Sequence, residues 1–207
     1  MKTSSDIIKK IQQAFSDYFE DGLYFNRVSH NIYVNQGSAN AINKFDIPAE
    51  EVKVKYWFDD IWFCIKISFM NDKDDKKLIP FISISFFQET GKDQKDQMFR
   101  AEWDNYIDDN SKHPQPHWHI TSTLAVEKSI EDLKKEGDNN DEANIFAELL
   151  KEEKKDLLNM PAFHFAMGGN WINDGDMITK LSDETQIISW IKNLFQHVRS
   201  EIEYIKK

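Results

Sequence analysis

The 207-residue chain contains a single cysteine, Cys64, so no internal disulfide can form and a small disulfide-stapled fold is excluded. Its surroundings, IWFCIKISF, are apolar and place no cationic residue next to the thiol, which points to a buried small residue rather than a nucleophile. Arginine is almost as scarce, with only Arg27, Arg100 and Arg199. Basic residues number 26 against 36 acidic ones, a formal net charge of -10, and non-specific nucleic-acid binding is therefore not expected because it draws on many cationic contacts to phosphates. The charged runs NDKDDKK (71–77) and GKDQKDQ (91–97) mix both signs and read as solvated turns. No apolar run approaches the ~20 residues needed to span a bilayer. MKTSSDIIKKIQQAF lacks the continuous apolar segment of a signal peptide, so the expected location is the cytoplasm, with no membrane partner. Only seven glycines and five prolines are present, and no proline-rich linker, low-complexity segment or internal repeat divides the chain, which is expected to form one domain over 1–207.

What the chain does have is aromatic and branched apolar mass: fifteen Phe, six Trp and 40% hydrophobic residues, enough for a core despite 30% charged residues. Ile7, Ile8, Ile11, Phe15, Tyr18 and Phe19 recur at helical spacing after the candidate cap Ser5 and predict an amphipathic helix ending near Gly22. From about 50 to 122 the period changes to two. VKVKYWF, IWFCIKISFM, LIPFISISFF, QMFRAEWD and QPHWHITS are separated by polar loops too short for crossover helices, which predicts an antiparallel meander of about five strands. VEKSIEDLKKE and EANIFAELLKEEKKDLL read as helical, and the irregular segment NMPAFHFAMGGNWINDGDM leads to a last helix. There Ile187, Ile188, Ile191, Leu194, Phe195, Val198, Ile202 and Ile205 recur from Ser182 or Asp183 onward. The fold class is α+β, an antiparallel sheet with N- and C-terminal helices packed on one face.

The strand alternation also says what occupies the other face. In MFRAEWDN, Phe99, Ala101 and Trp103 share one side and Arg100, Glu102 and Asp104 the other; in QPHWHITS, Trp118 and Ile120 oppose His117, His119 and Thr121. If the apolar sides join one core, the polar sides must coincide, because a one-residue slip would invert a whole strand. Arg100, Glu102, Asp104, His117 and His119 then gather on one sheet face, near Lys66, Ser83 and Ser85. Pro114 and Pro116 keep the start of the histidine strand extended and leave His113 outside it.

A His-x-His pair sets two imidazoles about 6 to 7 Å apart along one strand face, within reach of a single metal ion. A third ligand would come from Glu102, Asp104, His113 or His164. Zinc or another divalent ion held by two histidines and one carboxylate, with a position open to water, would support hydrolysis. In that reading Arg100 stabilises a developing anion, and a carboxylate of Glu102 or Asp104 left free acts as general base. A bland reading stands beside it: His117 and His119 as half-exposed strand residues bonded to Glu102, Asp104 or backbone, and Arg100 with Glu102 as a surface ion pair worth at most ~1 kcal/mol. Likewise His164, between Phe163 and Phe165 and before Gly168 and Gly169, reads either as a hydrogen-bonded core histidine or as a ligand.

Two short segments resemble known patterns. His119-Ile120-Thr121 resembles one half of the paired H-x-T motif of two-histidine phosphoesterases, with His164-Phe165-Ala166 in the place of the second half, where alanine stands instead of the hydroxyl residue. That resemblance implies metal-free phosphoester cleavage with His119 and His164 exchanging protons. Arg100 to Asn105 followed by HPQPHWH is similar to the R-x-D-N and histidine-rich hairpin of small TumE-like proteins of bacterial toxin and antitoxin loci, over about twenty residues and with a longer arginine-to-aspartate spacing. It implies a bacterial host and a role in a mobile-element or defence locus, and assigns no catalytic residue. Two functional expectations follow: an intracellular metal-dependent hydrolase with its site on the open sheet face, or a non-enzymatic accessory protein that docks a protein partner or a second copy of itself.

Overall fold

The structure, a computed structural model, describes residues 3–46, 48–71, 78–104, 116–120 and 184–206, without the side chain of Asp104. In chain order these form α1 (Ser4–Ala14), β1 (Phe25–Ser29), β2 (Ile32–Asn35), β3 (Ala39–Asn43), β4 (Glu50–Phe58), β5 (Ile61–Asn71), β6 (Leu78–Gly91), β7 (Gln94–Asp104), β8 (His117–Ile120) and α2 (Glu184–Ile205). The fold is α+β, and every strand pair among these residues is antiparallel. The helical readings within 121–183, together with His113, Thr121 and His164, lie outside the described residues.

Both helices turn one apolar stripe onto the sheet. In α1, Ile7, Ile8 and Ile11 are buried; in α2, Ile187, Ile191, Leu194, Phe195, Val198 and Ile202 are. They meet Phe63, Ile65, Ile67 and Phe69 of β5, Ile82, Ile84 and Phe86 of β6, and Phe99, Ala101 and Trp103 of β7 in one core. Phe195 sits at its centre, with ring centroids 4.9 Å from Phe63 and 5.3 Å from Phe86. The start of α1 differs from the expected Ser5 cap. Thr3 caps it, because Asp6 at the third helical position returns its carboxylate to the Thr3 N–H at 2.9 Å while the Thr3 hydroxyl accepts from Asp6 N, which closes a capping box. The helix stops at Ala14, well before Gly22, and Phe15 and Phe19 continue into the core from the turns that follow.

The sheet has eight strands among the described residues rather than about five. The five predicted segments correspond to β4 through β8; β1, β2 and β3 come from residues 25–43, where short strands with exposed or polar members hide the alternation. The β1–β2 turn passes through Asn31 in the left-handed region, φ 66°, which asparagine tolerates. The sheet order is β1-β2-β5-β6-β7-β8, and β4 also pairs with β5. One edge of β5 is therefore shared, with β2 against Lys66 to Ser68 and β4 against Ile61 to Phe63. At the fork between them the Ile65 N–H donates to the side-chain carbonyl of Asn35 at 2.5 Å, which replaces a ladder bond that neither strand supplies.

Beyond the fork β4 leaves the sheet and, paired with β3, packs against the face opposite the helices. Ala41 and Val54 from this hairpin bury against Cys64 and Phe87 in a second, smaller core. The approach is close: a Cβ on Gly37, just before β3, would lie 2.4 Å from the Val54 carbonyl oxygen. The polar face is thus covered in part by a hairpin whose connecting loop reaches β7.

Candidate functional site

The register of the last strands sets the site. Arg100 stands opposite Ser85 on β6 and His119 on β8, and Glu102 stands opposite Ser83 and His117. Lys66 continues the second row on β5, opposite Ser83. The expected gathering of Arg100, Glu102, His117 and His119 on one sheet face is what the structure places there, with Trp118 on the other face against the core. Ile120, expected to share that core side, is instead exposed at the end of β8. The Asp104 backbone pairs with Phe81, but its side chain lies outside the described residues.

Three ligand atoms converge. His117 Nε2 is 3.0 Å from His119 Nε2, and Glu102 Oε2 is 2.8 Å from His119 Nε2 and 3.3 Å from His117 Nε2. Tetrahedral ligands at about 2.1 Å from a zinc ion are about 3.4 Å apart, so this triangle is close to one face of such a coordination shell. The imidazoles are much nearer than the ~6 to 7 Å rise between alternate strand residues because both rings lean toward the same carboxylate oxygen.

Glu102 is divided between two kinds of neighbour. Oε2 faces the imidazoles, while Oε1 lies 3.1 Å from Arg100 Nε, an ion pair out of line for a straight hydrogen bond. Burial works against the ionised carboxylate, yet the His117 hydrogen bond, the Arg100 charge and His119 outweigh it and hold the group down at about 2. Burial also lowers the His119 pKa, although Glu102 opposes that shift. An ionised carboxylate 2.8 Å from a neutral imidazole follows. These are also the protonation states that metal ligation requires.

Arg100 is far from a surface residue: it is 7% exposed. Its Nη1–H donates to Asp46 Oδ1 at 2.7 Å, so the guanidinium lies between two carboxylates. Asp46 belongs to the β3–β4 connection, along with Phe45, whose ring centroid is 5.6 Å from that of His119 and 5.3 Å from the Arg100 guanidinium carbon. The connection is fastened to β7. Lys44 N–H donates to Gln97 Oε1 at 2.6 Å, the Gln97 amide donates to Asn43 Oδ1 and Ser85 Oγ, and the Asn43 amide donates to Asp46 Oδ2 at 2.8 Å. Gln97 reaches this face because of a bulge: Phe86 pairs with Phe99 and Phe87 with Gln97, so Met98 is the extra residue and turns into the core. Lys66, expected near the site, is drawn to Glu50 at 3.3 Å and Asp46 at 3.7 Å.

Sequence reasoning missed Asp46, Phe45 and Gln97. Asp46 is 54 positions from its partner Arg100 and follows a strand the alternation did not reveal; a carboxylate in such a loop carries no local signal. Cys64 is buried in the second core and its thiol is pushed up to about 12, chiefly by burial, in accord with the inert role read for it. His30 lies elsewhere, bonded to Arg27 at 3.1 Å. Among the described residues no helix is long and apolar enough to cross a membrane. Comparisons with protein families, with curated proteins and with solved structures find no match.

Proposed function

We propose that the face formed by β7 and β8 is a divalent-metal site with Glu102, His117 and His119 as ligands, and that the protein is a metal-dependent hydrolase. The observation that carries the reading is the convergence of two imidazole nitrogens and one carboxylate oxygen within 3.3 Å of one another. The donor set suits zinc and related ions, and an ion bound there would supply a Lewis acid and an activated water. The chain's own residues do the positioning. Trp118 anchors β8 in the core between the two histidines, and its ring is 5.8 Å from that of Phe99. Access comes from the His119 side, whose side chain is 35% exposed against 12% for His117. Arg100, already shared by two carboxylates, serves to orient Glu102 rather than to receive a developing anion.

The test is an activity measurement. Chelator-treated protein, reloaded separately with zinc, manganese or ferrous iron, is assayed on activated carboxylic esters and phosphoesters beside His119→Ala. Metal-restored turnover that the variant lacks supports the hydrolase. Metal uptake without turnover on either ester class removes the hydrolytic part of the proposal. Absence of both favours the accessory-protein reading.

A further inference from the structure

We infer that Asp46 is a positioning residue for this centre and that, through Arg100, it restricts Glu102 to ligation by one carboxylate oxygen. The inference rests on the proposed metal site and goes beyond it by bringing in a residue from a separate hairpin. A glutamate can ligate through one oxygen or both, and the choice sets how many positions remain for substrate and water. Here the two oxygens have different partners. Oε2 meets His119 at 2.8 Å and His117 at 3.3 Å, whereas Oε1 is held 3.1 Å from Arg100 Nε. For Oε1 to turn toward an ion beside the imidazoles it would have to leave that guanidinium.

What keeps the guanidinium in place is Asp46. Arg100 is a buried cation, and without a second carboxylate to hold it the guanidinium could move away from Oε1, which would free Glu102 to turn both oxygens toward the ion. Asp46 Oδ1 accepts from Nη1 at 2.7 Å and so holds the guanidinium beside Oε1. Asp46 is itself fixed, because the Asn43 amide donates to its other oxygen at 2.8 Å and Asn43 is tied to β7 through Gln97. The Phe45 ring lies over the guanidinium, 5.3 Å from its carbon. Asp46, Arg100 and Glu102 thus link the hairpin to the ligand triangle as carboxylate, guanidinium and carboxylate. Outer partners of this kind typically change metal affinity by ~10 to 100-fold when removed.

Cobalt(II) is the probe, added to the full chain and to Asp46→Asn, with visible absorption recorded during titration and thermal unfolding of both metal-free proteins as a control. The variant is expected to bind cobalt about tenfold more weakly and with a weaker visible band, because a carboxylate free to ligate through both oxygens raises the coordination number. Asp46→Glu, which restores the charge, is expected to recover part of the wild-type band. An unchanged affinity and band in Asp46→Asn overturns the inference while leaving the metal site standing. A weaker affinity with an unchanged band and a lowered unfolding temperature also overturns it, since Asp46 would then only be structural. If the wild-type chain takes up no cobalt, the metal site falls and this inference with it.

Discussion

Replacing Arg100 with methionine perturbs the fold and the site together, and the structure gives both a magnitude and a pH dependence. The arginine is 7% exposed and joined to Asp46 at 2.7 Å and Glu102 at 3.1 Å. Breaking a fully buried ion pair by removing one partner costs about 3–5 kcal/mol, because the other charge is left in a poor solvent. Asp46 and Glu102 retain side-chain exposures of 31% and 21%, so water relieves part of that penalty and about 2–3 kcal/mol is expected. For a chain of this size that corresponds to an unfolding temperature lower by about 4–12 °C. The pH dependence comes from Glu102. Its folded value, about 2, lies below the ordinary glutamate 4.5, so the stability tied to its ionisation is complete above 4.5 and is lost as pH falls from 4.5 toward 2. Arg100 is one source of that depression, so the gap between wild type and Arg100→Met should narrow across the same window. Urea denaturation at neutral pH and at two points between pH 4.5 and 3 measures it. A loss below about 0.5 kcal/mol at neutral pH, or a gap that widens on acidification, would refute the reasoning.

Two further outcomes follow from the packing. Gly37→Ala places a methyl 2.4 Å from the Val54 carbonyl oxygen, so the β3–β4 hairpin must shift and about 1–3 kcal/mol of stability should be lost; urea midpoints within error of wild type would show that the approach is relaxed. Cys64 is buried and its thiol pushed up to about 12, so a thiol reagent at pH 8 should label it only as fast as the protein unfolds, and rapid stoichiometric labelling of native protein would contradict its place in the second core.

How far the sequence could be read depended on how strongly each segment was patterned. The alternation of Phe63, Ile65, Ile67 with Cys64, Lys66, Ser68, and of Phe99, Ala101, Trp103 with Arg100, Glu102, is strict because one side is a deep core, and register then followed from matching faces. That is why the grouping of Glu102, His117 and His119 was legible. In β1 and β3 most side chains are exposed, or alternate small with polar, and apolar periodicity carries no signal there. The bulge at Met98 broke the period within one strand, which hid Gln97 from any alternation count. Asp46 and Phe45 reach the site by the folding of a hairpin across the sheet, a long-range event that no local spacing encodes. The Thr3 cap was legible in principle, since Thr3 and Asp6 have the spacing of a capping box, but Ser5 lay nearer the first apolar residues.

The central claim is that Glu102, His117 and His119 hold a metal ion. Elemental analysis of protein purified without a histidine tag, beside the His117→Ala, His119→Ala double variant, tests it most directly. One divalent ion per wild-type chain, absent from a variant that remains folded by circular dichroism, is the predicted result. Metal-free wild-type protein that also fails to take up zinc, manganese or ferrous iron on dialysis, or a folded double variant with the same metal content as wild type, would contradict it.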